Sequence, residues 1–200
     1  LFGSFLHGLK KYDGKTFKSL KMEDGLVHNM VNTVLEDHRG YLWFGTNEGI
    51  SIYDDDRKQF TNITTDRWLT NRDVITLLQD RENNIWIGMY GGGVIKYIPS
   101  QNIGKGVVHT FTTSDGLVDD QVLSMIFDDN HNLWIGTNKG ITLLDIAEFN
   151  RSGKKVFKYY GREDGFTGIE TSQNAVLKDS KGGLWFGTIN GAVVFAPEAG

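Results

Sequence analysis

Leu42-Trp43-Phe44-Gly45-Thr46-Asn47-Glu48-Gly49 is the stretch that decides the fold, because close copies of it recur along the chain. The copies begin at Ile85, Leu133 and Leu184, and the four tryptophans stand 43, 48 and 51 residues apart. Self-similarity with a period in the forties is typical of repeat architectures. The chain is therefore interpreted as a series of units before any single residue is given a role.

Each unit predicts four short strands, a to d, joined by tight turns. Around Trp43 the strands are expected at 31–36, 41–45, 49–53 and 58–61, with Asp, Asn and Gly between them. Such runs indicate an antiparallel meander. One meander cannot bury both of its faces, so successive sheets stack around an axis. The predicted fold class is all-β, a β-propeller of four-stranded antiparallel blades.

The repeats predict about four and a half blades in a single β-propeller segment, 1–200. They are expected at 1–20 (partial), 31–63, 74–112, 122–160 and 174–196 (partial). The first repeat lacks its strand a and the last lacks its strand d. Since exposed sheet edges invite pairing, we expect the remaining blades of a parent chain, or another copy, as partners.

Composition excludes several classes of protein. The formal net charge of the 200 residues is −4, and the charges are scattered, which argues against a basic nucleic-acid footprint. There is no cysteine, so neither disulfides nor thiolate metal sites are expected. No run of 18 apolar residues exists, so the sequence predicts no direct membrane insertion.

An Asp precedes each repeat tryptophan by six residues, and these are Asp37, Asp80, Asp128 and Asp179. Asp opens turns by accepting hydrogen bonds from the following backbone, so a structural role is predicted. There is no nucleophile motif, and the five histidines form no spaced metal pair. The sequence therefore predicts no catalytic residue, no metal and no cofactor.

Ligand-binding candidates are sought where equivalent positions differ between units. In a propeller the b–c turns and the d–a linkers emerge on one face, around the mouth of the central channel. Their polar, charged or aromatic residues are the candidates: Asn29, Asn47, Glu48, Trp68, Arg72, Asp73, Tyr90, Asp120, Asn138, Lys139 and Asn190. Aromatic rings stack on sugars while Arg, Asn and Asp bond hydroxyls, so the set suits a polar ligand.

Trp68 is the one tryptophan outside the repeat position, and it lies in a d–a linker that has Arg67 in place of the usual Gly. Two interpretations stay open for it. It contacts a ligand, or it covers the apolar layer between two blades, as Leu26 and Leu117 are expected to do.

The pattern Asp24-Gly25-Leu26, Asn32, Asp37, Gly40, the Trp43 stretch and Tyr53-Asp54 closely resembles the two-component regulator propeller repeat. The units at 115–145 and 164–195 resemble it as well. The resemblance implies a seven-bladed propeller in the periplasmic sensor region of a histidine kinase or hybrid two-component system, many of which sense carbohydrates. It thus implies a non-catalytic segment that binds a polar ligand, such as an oligosaccharide, and passes the signal to a kinase.

Two alternatives remain from the sequence. The first is a propeller enzyme of the streptogramin lyase type, which uses a His general base and a bound metal; among the histidines here, His28 alone has an equivalent face position. The second is a propeller that serves protein binding or a structural role.

Overall fold

A computed structural model describes residues 2–4, 8–12, 14–166 and 170–196. The chain divides into two compact units, 1–110 and 111–200. Across the described residues there are eighteen β-strands and one short α-helix. The predicted all-β class is confirmed.

Unit 1 contains three antiparallel sheets, called blades 1 to 3, in which each strand pairs with the next along the chain. Blade 1 consists of β1 (Phe2–Ser4), β2 (Gly8–Tyr12) and β3 (Phe17–Leu20). Blade 2 consists of β4 (Val31–Glu36), β5 (Leu42–Thr46), β6 (Gly49–Asp54) and β7 (Gln59–Ile63). Blade 3 consists of β8 (Val74–Gln79), β9 (Ile85–Met89), β10 (Gly93–Pro99) and β11 (Gly106–Phe111), which ends at the boundary of the unit.

Unit 2 contains blades 4 and 5. Blade 4 consists of β12 (Val122–Phe127), β13 (Leu133–Thr137), β14 (Gly140–Leu144) and β15 (Phe157–Tyr160). Blade 5 consists of β16 (Thr171–Lys178), β17 (Leu184–Thr188) and β18 (Gly191–Phe195). These are the meanders of a β-propeller. Blades 1 and 5 have three strands each and blades 2 to 4 have four each, as the sequence predicts. The seven-bladed ring of a parent chain stays a prediction.

The tryptophan of one blade packs into the next. In unit 1, Trp43 and Ile52 share a core with Val74, Leu77 and Ile87 of blade 3, and all five are buried. Strand a lies innermost, because β4 packs against β8 in unit 1 and β12 against β16 in unit 2. This packing of one sheet on the next provides the apolar burial that a single meander lacks.

Each repeat Asp accepts a hydrogen bond from the indole of its own tryptophan. The Nε1–Oδ2 distances are 3.0 Å for Trp43, 2.8 Å for Trp86, 3.0 Å for Trp134 and 2.8 Å for Trp185. The other carboxylate oxygen accepts turn amides, such as that of Tyr41 at 3.0 Å. The structural role is thus confirmed, and the indole bond is an addition that the sequence did not predict.

The Asp-Gly pairs form capped turns in the d–a linkers. Three 3-10 turns span Met22–Asp24, Thr113–Asp115 and Arg162–Asp164, and a Gly with positive φ ends each one. The next residue is buried in all three cases: Leu26, Leu117 and Phe166. The linker around Trp68 has no such turn, in keeping with its missing Gly.

Helix α1 (Ile146–Ser152) is an element that the strand pattern did not predict. It replaces the tight turn between β14 and β15. Asp145 caps it by accepting the amide of Glu148 at 2.8 Å, and Gly153 ends it with a φ of 75°. Its apolar face is buried, with the ring of Phe149 edge-on to Phe111 at 4.9 Å.

Candidate functional site

The b–c turns hold several candidates in a fixed geometry. Thr46 Oγ1 donates to the carbonyl oxygen of Gly49 at 2.9 Å and accepts the amide of Glu48 at 3.1 Å. Blades 4 and 5 repeat this clamp with Thr137 and Thr188. The Thr-x-x-Gly spacing therefore presents the two intervening side chains at the end of blades 2, 4 and 5.

Blade 3 departs from the clamp, because Met89 stands in place of the Thr and the turn is one residue longer. The amide of Tyr90 instead donates to the carbonyl oxygen of Asp73 at 2.9 Å. The side chain of Tyr90 stays 42% exposed, so its ring is available at this face. Two of the predicted candidates are thereby joined through the backbone.

A polar group in unit 1 brings further candidates together, and we call it the mouth cluster: Asn32, Asn47, Glu48, Arg72 and Asp73. The Nδ2 amide of Asn32 donates to Asn47 Oδ1 at 3.0 Å and lies 3.4 Å from Asp73 Oδ1. It also donates to the carbonyl oxygen of Val74 at 2.9 Å. The cluster thus joins the b–c turn of blade 2 to the linker that enters blade 3.

Asn32 itself was not predicted as a site residue, because it belongs to the repeat pattern. Its partners lie on two different blades, so the signal is visible only once blades 2 and 3 are stacked. The equivalent position, eleven residues before each tryptophan, holds Ile75, Leu123 and Asn174 in the other units. That variation was the available sign that position 32 is more than part of the scaffold.

An exposed ion pair forms the rim of the cluster. Arg72 Nη1 lies 2.9 Å from Glu48 Oε1, and the two side chains are 67% and 44% exposed. Pairs this open contribute on the order of 0–1 kcal/mol to stability, because water screens both charges. The pair can therefore exchange partners with an incoming polar group at little cost.

Asp73 is the electrostatically perturbed member of the cluster. Burial raises its pKa above the ordinary value of 3.8, against the opposing effects of the Arg72 charge and the Asn32 hydrogen bond. A carboxylate that has lost part of its hydration favours replacement hydrogen bonds to its ionised form. The arrangement therefore suits a donor-rich ligand such as a polyol.

Trp68 is half-buried and is used in packing. Its ring stacks on Tyr97 with centroids 4.7 Å apart and planes 8° apart, and its Nε1 donates to the carbonyl oxygen of Gly104 at 3.2 Å. It packs against the apolar core that contains Trp43. These contacts favour the interblade interpretation, and they do not join Trp68 to the mouth cluster; a ligand contact stays a prediction.

Asn29 and Asp120 hold the linkers in shape. Asn29 Oδ1 accepts the amide of Met22 at 2.9 Å, and Asp120 Oδ1 accepts that of Thr113 at 2.7 Å. Both partners begin a 3-10 turn, and in both cases the side chain lies seven residues further along the linker. Their polar atoms are therefore engaged within their own linkers.

His28 also takes part in a repeated turn. Its Nδ1 accepts the amide of Met30 at 3.1 Å. At the equivalent positions Asn71 and Asp119 accept the amides of Asp73 and Gln121 at 3.0 Å and 3.4 Å. One backbone requirement thus accounts for His28 without a catalytic role.

The candidates of unit 2 form pairs of their own. Asn138 bonds the side chain of Gln121, and Lys139 Nζ lies 3.8 Å from the buried carboxylate of Asp119. Neither partner was predicted from the sequence. Asn190 is exposed, and its amide donates to Thr188 Oγ1 at 3.3 Å.

Repeated antiparallel blades, with a tryptophan–aspartate hydrogen bond inside each of blades 2 to 5, and the capped Asp-Gly linkers define a β-propeller repeat protein. Three segments, 25–48, 69–91 and 116–139, match the family model described as two component regulator propeller. These three segments are similar to the repeats of that family, as the sequence predicts. No curated protein matches the chain in sequence.

Solved structures share the fold at low identity. The extracellular domain of a protein described as a hybrid two component system from B. thetaiotaomicron is 22% identical, with a TM-score of 0.84 over 98% of this chain. A second B. thetaiotaomicron extracellular domain, described as belonging to a one component system, is 20% identical, with a TM-score of 0.75 over 94% of this chain. The chain spans 26% and 25% of those two proteins.

A virginiamycin B lyase from Staphylococcus aureus has the same kind of fold. It is 13% identical to this chain, with a TM-score of 0.62 over 94% of this chain and 62% of the lyase. At these identities the similarities establish the fold alone. Among the described residues, no helix is long and apolar enough to cross a membrane.

Proposed function

We propose that this chain is a non-catalytic, ligand-sensing propeller segment of a bacterial two-component sensor that faces the periplasm. The family of its repeats supports a sensor, and two structural relatives described as extracellular domains support the location. The observation that carries the proposal is the mouth cluster, where residues that differ from blade to blade meet around Asn32.

The ligand proposed for this site is polar, with an oligosaccharide as the favoured class. Tyr90 offers an exposed ring for stacking, while Asn47 and Asp73 offer hydrogen-bonding oxygens. The Arg72–Glu48 pair adds one donor and one acceptor that bind each other in the free protein. Such a mixture of an aromatic face and convergent polar groups is what sugar hydroxyls and ring faces require.

Signalling follows from differential binding. A ligand that bridges the b–c turn of blade 2 and the linker into blade 3 favours the arrangement in which those two elements are close. The shift in population is then passed to the other blades of the parent chain and to its kinase. The size of the effect is limited by the difference in ligand affinity between the two arrangements.

Thermal unfolding with a panel of neutral oligosaccharides tests the site. A binder at roughly 100 times its Kd stabilises the fold by about 2.7 kcal/mol and raises the melting temperature. Tyr90→Ala and Asn47→Ala are expected to abolish that rise. Asn102→Ala, an exposed amide in the β10–β11 turn, is the matched control and is expected to retain it.

Three outcomes contradict the proposal. A rise that survives both mouth variants places the ligand elsewhere. Stabilisation by Mg²⁺ or Mn²⁺ together with turnover of a streptogramin supports the lyase alternative instead. Binding of a protein partner with no response to any sugar favours the alternative of a protein-binding propeller.

A further inference from the structure

Three lysines and one carboxylate line a single cavity at the seam between blades 1 and 2. Lys11 Nζ and Lys58 Nζ each lie 3.0 Å from the same oxygen, Asp55 Oδ1. Together with Lys18, Leu20 and Tyr53 they line a cavity of about 160 Å³. We call this group the lysine pocket.

Two features of the lysine pocket lower the stability of the folded chain. Lys11 and Lys18 are directly opposite on β2 and β3, and like charges at such a pair are destabilising. Lys58 has a φ of 54°, a left-handed conformation that side chains with a Cβ seldom adopt. Three lysines and Asp55 thus meet at one cavity, and Asp56 of the same turn also acts on the charge of Lys58.

Asp55 supplies only part of the neutralisation. Hydrogen bonds from Lys58 and Lys11 hold its pKa below the ordinary value of 3.8, so it stays ionised and cancels a single charge. Lys18 has no ion pair within the described residues.

We propose that the lysine pocket binds a tetrahedral oxyanion, a phosphate or sulfate group, through Lys11, Lys18 and Lys58. Ammonium groups bind such anions as point charges, and the three flexible side chains can converge on separate oxygens. The walls formed by Leu20 and Tyr53 are apolar, which strengthens the attraction by excluding water from one side. The group is either a free ion or an ester carried by a sugar.

The site is independent of the mouth cluster. Asp55 and Lys58 lie in the β6–β7 turn, at the end of β6 remote from Asn47 and Glu48 in the β5–β6 turn. A failure of either proposal therefore leaves the other intact. A variant in the lysine pocket is expected to leave any sugar response of the mouth cluster unchanged.

Amide chemical shifts of the full chain, titrated with inorganic phosphate and then inorganic sulfate at low ionic strength, test the proposal. Saturable shifts are expected at Lys11, Lys18 and Lys58. Lys18→Ala weakens binding about tenfold, the change expected for one charge-assisted contact, and Lys18→Arg retains it. Lys105→Ala, a lysine in the equivalent turn of blade 3, is the matched control.

Asp55→Asn is expected to change the phosphate affinity in the opposite direction to Lys18→Ala. Removal of the competing carboxylate is expected to tighten phosphate binding several-fold, although it breaks both ion pairs. If Asp55→Asn weakens binding, or if shifts are linear and spread equally to Lys105, the proposal is overturned. Phosphorylated and sulfated monosaccharides form the last arm, because tighter binding of an ester than of the free ion identifies a modified sugar as the ligand.

Discussion

At the scale of the residue, the same side-chain type serves two different purposes in this chain. Asp37, Asp80, Asp128 and Asp179 bind indole and turn amides, and this role follows from their fixed distance to the tryptophan. Asp73 has no such partner and is instead the perturbed carboxylate of the mouth cluster. A repeated position thus indicates scaffold, while a unique one indicates a candidate site.

The raised pKa of Asp73 predicts that the stability of the folded chain depends on pH. Burial raises the folded-state pKa of Asp73 above 3.8, so the folded chain binds this proton more tightly than the unfolded chain does. The stability from this group is complete below the unfolded pKa and is lost as pH rises through the folded pKa. Asp73→Asn is therefore expected to raise the melting temperature at pH 7 and to have little effect at pH 3.

Melting temperatures of the wild type and of Asp73→Asn across this pH range measure the effect. Asp66→Asn, an exposed carboxylate in the same linker, is the control and is expected to leave the difference between pH 3 and pH 7 close to that of the wild type. A variant that is less stable than the wild type at pH 7 would show that the hydrogen bond from Asn32 outweighs the cost of burial.

At the scale of the element, the strands were predictable and the partners of their side chains were not. Trp, Gly and Thr recur with fixed spacing, so their turns define where strands begin and end. Helix α1 was missed because a seven-residue helix has weak periodicity, although Asp145 and Gly153 carry its cap signals. Asn32 and Trp68 acquire their contacts from neighbouring blades, which no local pattern encodes.

The capped linkers offer a matched pair of glycines. Gly116 and Gly165 end equivalent 3-10 turns in unit 2 with φ values of 114° and 85°. A Cβ at Gly116 would lie 3.1 Å from Phe157 Cδ2, whereas a Cβ at Gly165 would meet nothing within 4 Å in the part of the chain that the structure describes. Both alanine variants suffer the left-handed strain of about 1–2 kcal/mol, and Gly116→Ala alone adds a steric contact.

Urea denaturation followed by circular dichroism measures the two variants. Gly116→Ala is expected to be the less stable of the two. Equal loss would mean that the Phe157 ring moves aside freely, and that φ alone determines the preference for Gly at the end of these turns.

At the scale of the whole molecule, each unit is a stack of blades whose cores are shared. The repeat predicts this architecture, because the tryptophan of each blade and the apolar residues beside it on the neighbouring strands are buried only when another blade packs on them. In blade 5 these residues are open: Leu177, Trp185 and Val194 are 61%, 40% and 45% exposed. The equivalent Trp43 and Trp86 are fully buried.

This difference predicts unequal costs for one substitution within unit 2. Trp134 is 8% exposed and Trp185 is 40% exposed, while both donate to their Asp. Trp134→Ala is expected to lower the free energy of unfolding by about 3–5 kcal/mol, and Trp185→Ala by roughly half as much. Chemical denaturation gives both values, and a larger loss at Trp185 would mean that its face is covered in solution.

The hydrogen bond from Trp185 to Asp179 lies within a single blade. The ring is held at 2.8 Å by Asp179 while it is 40% exposed, so the hydrogen bond orients it without full burial. The two residues are only six apart, and contacts this local form early and quickly. During synthesis the tryptophan ring of each blade can thus be oriented by its own Asp before the next blade packs against it. Folding is then expected to propagate outward one repeat at a time, as nearest-neighbour arrays do.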